Sequence, residues 1–217
     1  MDYGFTDLLT LLGALGLFLY GMKVMSDALM ELAGDRMRRI LATTTSNRLF
    51  AVMTGFTITA VIQSSSATTL MVVSFVNASL LTLTEAIGVI MGANIGTTVT
   101  AWLISIFGFK VSMSAVALPL VALGFLLTVS RNKKHHHWGY FIIGFAVLFI
   151  GLQFLKESVP DIRGNPEVLA FLADYTSHGF LSVLLFLFIG TILTLVVQSS
   201  SATMALTLLM TFEGWLP

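Results

Sequence analysis

The sequence predicts an all-α, polytopic membrane protein made of inverted repeats, and three observations carry that reading. Of 217 residues, 56% are hydrophobic and only 10% charged, with a mean hydropathy of +0.93; a soluble domain has about 25% charged residues. The charges are bunched, which leaves uncharged windows at 49–84, 86–109, 111–130, 138–155 and 179–212. Crossing a bilayer core takes roughly 20 apolar residues, whereas a membrane barrel alternates over segments of about 10. Finally, QSSSATT at 63–69 returns as QSSSATM at 198–204, both inside such windows.

Other classes drop out quickly. There is no cysteine, so neither a disulfide framework nor a thiolate metal site can be drawn. Eleven basic residues balance eleven acidic ones, so no net charge draws the chain to nucleic acid. The first apolar window opens on Asp2 and Asp7 and no small-residue cleavage site follows it. It is therefore expected to stay as a membrane helix rather than leave as a signal peptide.

The elements follow in order. The first repeat, 1–130, should contain a helix at 6–33, a hairpin at 49–84, a broken helix at 85–109 and a helix at 111–130. Arg36, Arg38, Arg39 and Arg48 mark loop 34–48 as cytoplasmic, and Arg131, Lys133 and Lys134 do the same for loop 131–137. The N-terminus then lies outside. His135, His136 and His137 are read as part of the second solvated loop. Window 49–84 has 36 uncharged residues; as one helix it would run roughly 54 Å, too long for a core of about 30 Å. It must enter from the cytoplasm and return there, with QSSSATT near its tip. The second, incomplete repeat, 138–217, offers a helix at 138–158 and a hairpin at 179–212, with an acidic outer stretch between them (Glu157, Asp161, Glu167, Asp174). Three crossings precede it, and an odd number inverts the second copy. Gly55, Thr59 and Gln63 recur as Gly190, Thr194 and Gln198, and LGLFLYGM at 15–22 resembles AVLFIGL at 146–152. Inverted repeats with interrupted segments are a transporter architecture.

Polar clusters at membrane depth must be buried in protein or face water. If the chain approaching the tip is helical, Thr59, Gln63 and Ser66 share a face, as do Thr194, Gln198 and Ser201. GANIGTTVT at 92–100 adds Asn94, Thr97 and Thr98 where Gly92 and Gly96 weaken a helix; the same glycines have the spacing of a helix-packing face. No carboxylate stands mid-window, so a cation site must be built from hydroxyls, amides and freed carbonyls, which suits Na⁺ as coupling ion. No Lys or Arg stands there either. An anion would be held by hydroxyls and by helix N-terminal N–H groups, with a bound cation offsetting its charge. Lys23, Asp27 and Glu31, spaced by four, read as an ion-paired helix face rather than a proton path. An intramembrane serine hydrolase lacks both a G-x-S-x-G elbow and a base at that depth, so no enzyme is expected.

LGLFLYGMKVMSDAL, the two QSSSA hairpins and GANIGTTVTAW resemble the bacterial form of the type II sodium–phosphate cotransporter family, over essentially the whole chain. The resemblance implies sodium-driven symport of inorganic phosphate across the inner membrane by alternating access. It places Gln63, Ser64, Ser65, Ser66, Asn94, Thr97, Thr98, Gln198, Ser199, Ser200 and Ser201 around the central site. Of these the serines are expected to bind phosphate, and Gln63, Asn94, Thr97, Thr98 and Gln198, with Thr59 and Thr194 from the same helix faces, are expected to bind sodium. No other cofactor or metal is implied, and a homodimer is left open. Another small anion, or a scaffold that transports nothing, are the competing readings. The family's second repeat carries its own GxNIGTT-like element, which would begin at 227, so the second repeat is expected to be truncated at 217.

Overall fold

The computed structural model describes residues 4–43, 47–110, 113–158 and 179–212, and every regular element among them is helical. The helices are α1 (Phe5–Thr43), α2 (Arg48–Ile62), α3 (Ser65–Asn77), α4 (Leu83–Gly96) and α5 (Thr98–Leu103). A π-helical stretch Ile104–Lys110 follows, then α6 (Met113–Thr128), α7 (Lys133–Ser158), α8 (Phe180–Val197) and α9 (Ser200–Phe212). Among the described residues, four stretches are long and apolar enough to cross a membrane: Phe5–Ala42, Leu83–Gly108, Lys133–Ser158 and Phe180–Val197. The chain divides into two compact units, residues 17–150 and residues 1–16 with 151–217.

Local chemistry sets the helix ends. Asn47 caps α2 by accepting from the Leu49 N–H at 3.1 Å. Phe75 and Val76 carbonyls close α3 by accepting from Leu80 and Ser79, with Ser79 left-handed at φ 58°; this is a Schellman ending with serine where glycine is usual. α4 opens on a reciprocal capping box. The Glu85 N–H donates to the Thr82 hydroxyl at 3.4 Å, and the Thr82 N–H donates to the Glu85 carboxylate at 2.8 Å.

In the larger unit, α2 and α4 lie side by side and run the same way. Gly88 faces Ala51, Gly92 faces Val52 and Phe56, and Gly96 faces Phe56 and Thr59, so the two numberings climb together. A Cβ built at Gly55 would collide with the Val89 carbonyl, and one at Gly92 with the Val52 carbonyl. Since α2 and α4 are parallel, α3 must carry the chain back between them. Ile58, Ile62, Met71, Val72 and Val89 bury together, and Met37 and Leu41 from the end of α1 complete that core. α7 runs antiparallel to both α1 and α6: Gly21 meets Leu148 while Gly144 meets Met25, and Gly139 meets Thr128 and Gly124. In the smaller unit, Leu152, Leu155, Ala202, Ala205 and Leu209 are buried, and the Lys156 ammonium lies 5.4 Å from the Phe212 ring centre.

Several boundaries differ from the sequence reading. The first helix continues to Thr43 rather than stopping at 33, because Met37 and Leu41 gain a buried seat. The basic loop at 131–137 shrinks to 129–132. Asn132 caps α7 by accepting from Lys134 at 3.0 Å, which draws His135, His136 and His137 into the helix. His136 is partly buried, and its Nδ1–H donates to the Thr128 carbonyl at 2.6 Å. α6, at 16 residues, falls short of the spanning helices, and the acidic stretch beyond Ser158 lies outside the described residues. Lys23 and Asp27 do pair, at 3.4 Å, on an exposed face.

Candidate functional site

The expectation that Ser66 shares a helix face with Thr59 and Gln63 is corrected. α2 stops at Ile62, and α3 starts at Ser65. Gln63 between them is left-handed (φ 60°, ψ 25°) and Ser64 is extended (φ −143°, ψ 105°). A helix that stops leaves its last carbonyls without donors, and the corner repairs this with its own side chains. Gln63 N–H donates to the Thr59 carbonyl at 2.7 Å. The Gln63 amide Nε2 donates to the Ala60 carbonyl at 2.5 Å, replacing the backbone N–H that a continuing helix would have supplied.

The start of α3 is repaired in the same way. Ser64 Oγ accepts from the Ala67 N–H at 3.2 Å, and the Ser64 carbonyl accepts from the Thr68 hydroxyl at 3.0 Å. Thr59 Oγ1 donates to Thr68 Oγ1 at 2.9 Å, tying α2 to α3. The N–H groups of Ser65 and Ser66 make no hydrogen bond among the described residues.

The second corner repeats this bond for bond. Gln198 is left-handed (φ 56°, ψ 24°) and its N–H donates to Thr194 at 2.8 Å. Its Nε2 donates to the Leu195 carbonyl at 2.6 Å. Ser199 Oγ accepts from Ala202 N–H at 3.2 Å, Thr203 donates to the Ser199 carbonyl at 3.2 Å, and Thr194 donates to Thr203 at 3.1 Å. Repetition of sequence is thus repetition of a built turn.

The corners differ in what surrounds them. Gln63 is buried, and its Oε1 accepts from the Thr100 hydroxyl at 2.8 Å; Gln198 is exposed, and no such donor faces it among the described residues. Ser65 is half-buried and Ser66 exposed, whereas Ser200 is exposed and Ser201 buried.

GANIGTT does not join the corner as a whole. The expected interruption falls at Thr97, between α4 and α5 and just past Gly96, while Gly92 lies within α4; both glycines make close contact with α2. Thr97 is buried, with its hydroxyl donating to the Ala93 carbonyl at 3.3 Å. Asn94 and Thr98 are exposed; at 100° per residue Asn94 lies about 200° around α4 from both Gly92 and Gly96, away from α2. Thr98 donates to the Ile95 carbonyl at 2.7 Å.

Sequence reasoning missed Thr100, Thr68 and Thr203. A signal for Thr100 was present, since Gly88, Gly92, Gly96 and Thr100 form one stripe spaced by four. Along it Gly88 meets Ala51, Gly96 meets Thr59 and Thr100 meets Gln63, the C-cap of α2.

Each corner joins the C-terminus of one helix to the N-terminus of the next. The first end carries about half a negative charge and the second about half a positive one. A corner can therefore offer carbonyl and amide oxygens to a cation and N–H and O–H donors to an anion, with no ionised side chain. Among the described residues no cluster of acidic or histidine side chains could hold a metal ion.

A protein-family model described as Na+/Pi-cotransporter matches residues 17–157. The chain is 29% identical over 208 residues to "Putative inorganic phosphate export protein YjbB" of Salmonella typhimurium strain LT2, covering 95% of this chain and 37% of that protein. It is 26% identical over 200 residues to "Uncharacterized protein YqeW" of Bacillus subtilis strain 168, covering 91% and 61%. It is 37% identical over 105 residues to "Sodium-dependent phosphate transport protein 2B" of Homo sapiens, covering 48% and 15%. The chain thus spans little more than a third of the length of the export protein it matches. No solved structure matches it significantly.

Proposed function

The chain belongs to the Na+/Pi-cotransporter family, and from that premise we propose that it forms the core of a sodium-coupled symporter of inorganic phosphate that works by alternating access. The observation that carries this is the paired corner. Glutamine in the left-handed region is uncommon, and strain of this kind gathers at functional sites. Here it occurs twice, in two turns with the same hydrogen bonds. In the proposed membrane, α2–α3 and α8–α9 are re-entrant hairpins, each with its corner as a binding element, and the two repeats are inverted. The antiparallel packing of α1 on α7, the helices that carry the related segments LGLFLYGM and AVLFIGL, supports that inversion.

Sodium binds oxygens at the C-terminal ends of α2 and α8, with Gln63 and Gln198 among its ligands. Phosphate binds the serine hydroxyls and free N–H groups at the starts of α3 and α9. Each ligand offsets the other's charge. The test is uptake of labelled phosphate into proteoliposomes holding the full gene product, with an inward Na⁺ gradient against a K⁺ gradient. Equal uptake under the two gradients would remove sodium coupling.

A second reading concerns direction. The relative from Salmonella typhimurium is named as an exporter, and a symporter runs whichever way its combined gradients point. Vesicles of both orientations, loaded with phosphate and given opposite Na⁺ gradients, separate net uptake from net export.

A further inference from the structure

We propose that Thr100 is a positioning residue for the cation site, acting through Gln63 and setting the sodium affinity; this rests on the sodium-coupled reading above. The carboxamide of Gln63 is fixed at both ends, since Nε2 donates to the Ala60 carbonyl at 2.5 Å and Oε1 accepts from Thr100 Oγ1 at 2.8 Å. An amide oxygen has two lone pairs. One is taken by Thr100, which leaves the other directed and free to meet a cation. Without the hydroxyl, the amide plane would be held at Nε2 alone, and the oxygen could turn away.

The hydroxyl is itself held to tight tolerance. Thr100 is 3% exposed and, on α5 one turn beyond Gly96, continues the line of contact that α4 makes with α2. Gln63 and Thr100 stand thirty-seven residues apart, like Ala51 and Gly88 and like Thr59 and Gly96, which meet across the two helices. Packing that leaves no room for a Cβ fixes the register, and the register delivers the hydroxyl to the amide oxygen. Thr97 and Thr98, nearer the motif's centre, donate to the Ala93 and Ile95 carbonyls of α4 instead.

The experiment measures the Na⁺ dependence of phosphate uptake by the full gene product in proteoliposomes, for wild type, Thr100→Val, Thr100→Ser and Thr100→Cys. Losing one hydrogen bond that aims a ligand should raise the Na⁺ half-saturation about three- to tenfold in Thr100→Val. The maximal rate per folded molecule, and phosphate half-saturation at saturating Na⁺, should stay within about twofold of wild type. Thr100→Ser keeps the donor and should restore the wild-type value. Thr100→Cys, a weaker donor of similar size, should fall between, and it supplies the reading if the valine variant folds poorly. A wild-type Na⁺ half-saturation in Thr100→Val or Thr100→Cys would overturn the assignment while leaving sodium coupling intact. So would a fall in maximal rate alone, which marks a merely structural residue. Uptake by the wild type that ignores Na⁺ would instead overturn the sodium-coupled reading, and this proposal with it.

Discussion

Gln63 and Gln198 hold a backbone conformation (φ 60° and 56°) that glycine or asparagine would adopt with less strain. Each side chain returns something by capping the carbonyl three residues back. Glycine is therefore a cleaner probe than alanine, because alanine at positive φ adds strain of its own. Gln63→Gly and Gln198→Gly should each change stability by no more than about 2 kcal/mol, since relieved strain offsets lost hydrogen bonds. Each should still weaken Na⁺-dependent phosphate uptake roughly ten- to a hundredfold, the loss expected for a hydrogen bond or ligand to a charged group. Thermal unfolding in detergent and uptake in liposomes measure the two effects; near-normal uptake by either variant would place the site elsewhere. That these residues matter was legible from their doubled appearance. That Ser66 parts company with Thr59 was not, because a helix template runs straight through Gln63, and only the left-handed turn reveals the break. Thr100 escaped because attention to the polar motif stopped at Thr98, although the glycine stripe pointed one step further.

The element that fixes the first corner is the α2–α4 pair. Glycines spaced by four let two parallel helices meet at backbone distance, the arrangement that small-residue stripes support in membranes. The same spacing was open to two readings in the sequence, and the close contact of Gly55, Gly92 and Gly96 decides for packing. Gly55→Ala puts a Cβ into the Val89 carbonyl, with no flexible side chain to yield. It should cost about 1–3 kcal/mol or more, as overpacked positions do, seen as a lower melting temperature. Gly190, the matching residue on α8, has no atom of the described residues outside its own helix backbone within 4 Å of a built Cβ. In this chain Gly190→Ala should be neutral, or stabilising by up to about 1 kcal/mol through better helix propensity. If both substitutions destabilise equally, the seam does not set the first corner's geometry. Element ends were harder to read than their existence. α1 outruns its apolar stretch because tertiary burial of Met37 and Leu41 overrides the exposed charges around them, and His135–His137 turn helical under a cap from Asn132.

For the whole molecule, the membrane class was plain from composition, whereas the crossing count rests on the basic loops. Cysteines introduced at Arg38 and at Asn165, the latter outside the described residues, should be labelled by an impermeant reagent from opposite faces of the membrane. Labelling from one face would sink the inverted arrangement. In the proposed symporter, neutral oxygens and helix ends bind sodium and phosphate jointly. Neither corner brings a fixed charge of either sign, so each ligand should bind weakly alone and strengthen the other, and linkage makes that enhancement reciprocal, typically by about 1–3 kcal/mol. The direct measurement is phosphate binding to the purified full gene product in NaCl and in choline chloride at matched ionic strength. Phosphate should bind roughly five- to 150-fold tighter in NaCl, whereas equal affinity in the two salts would contradict joint binding.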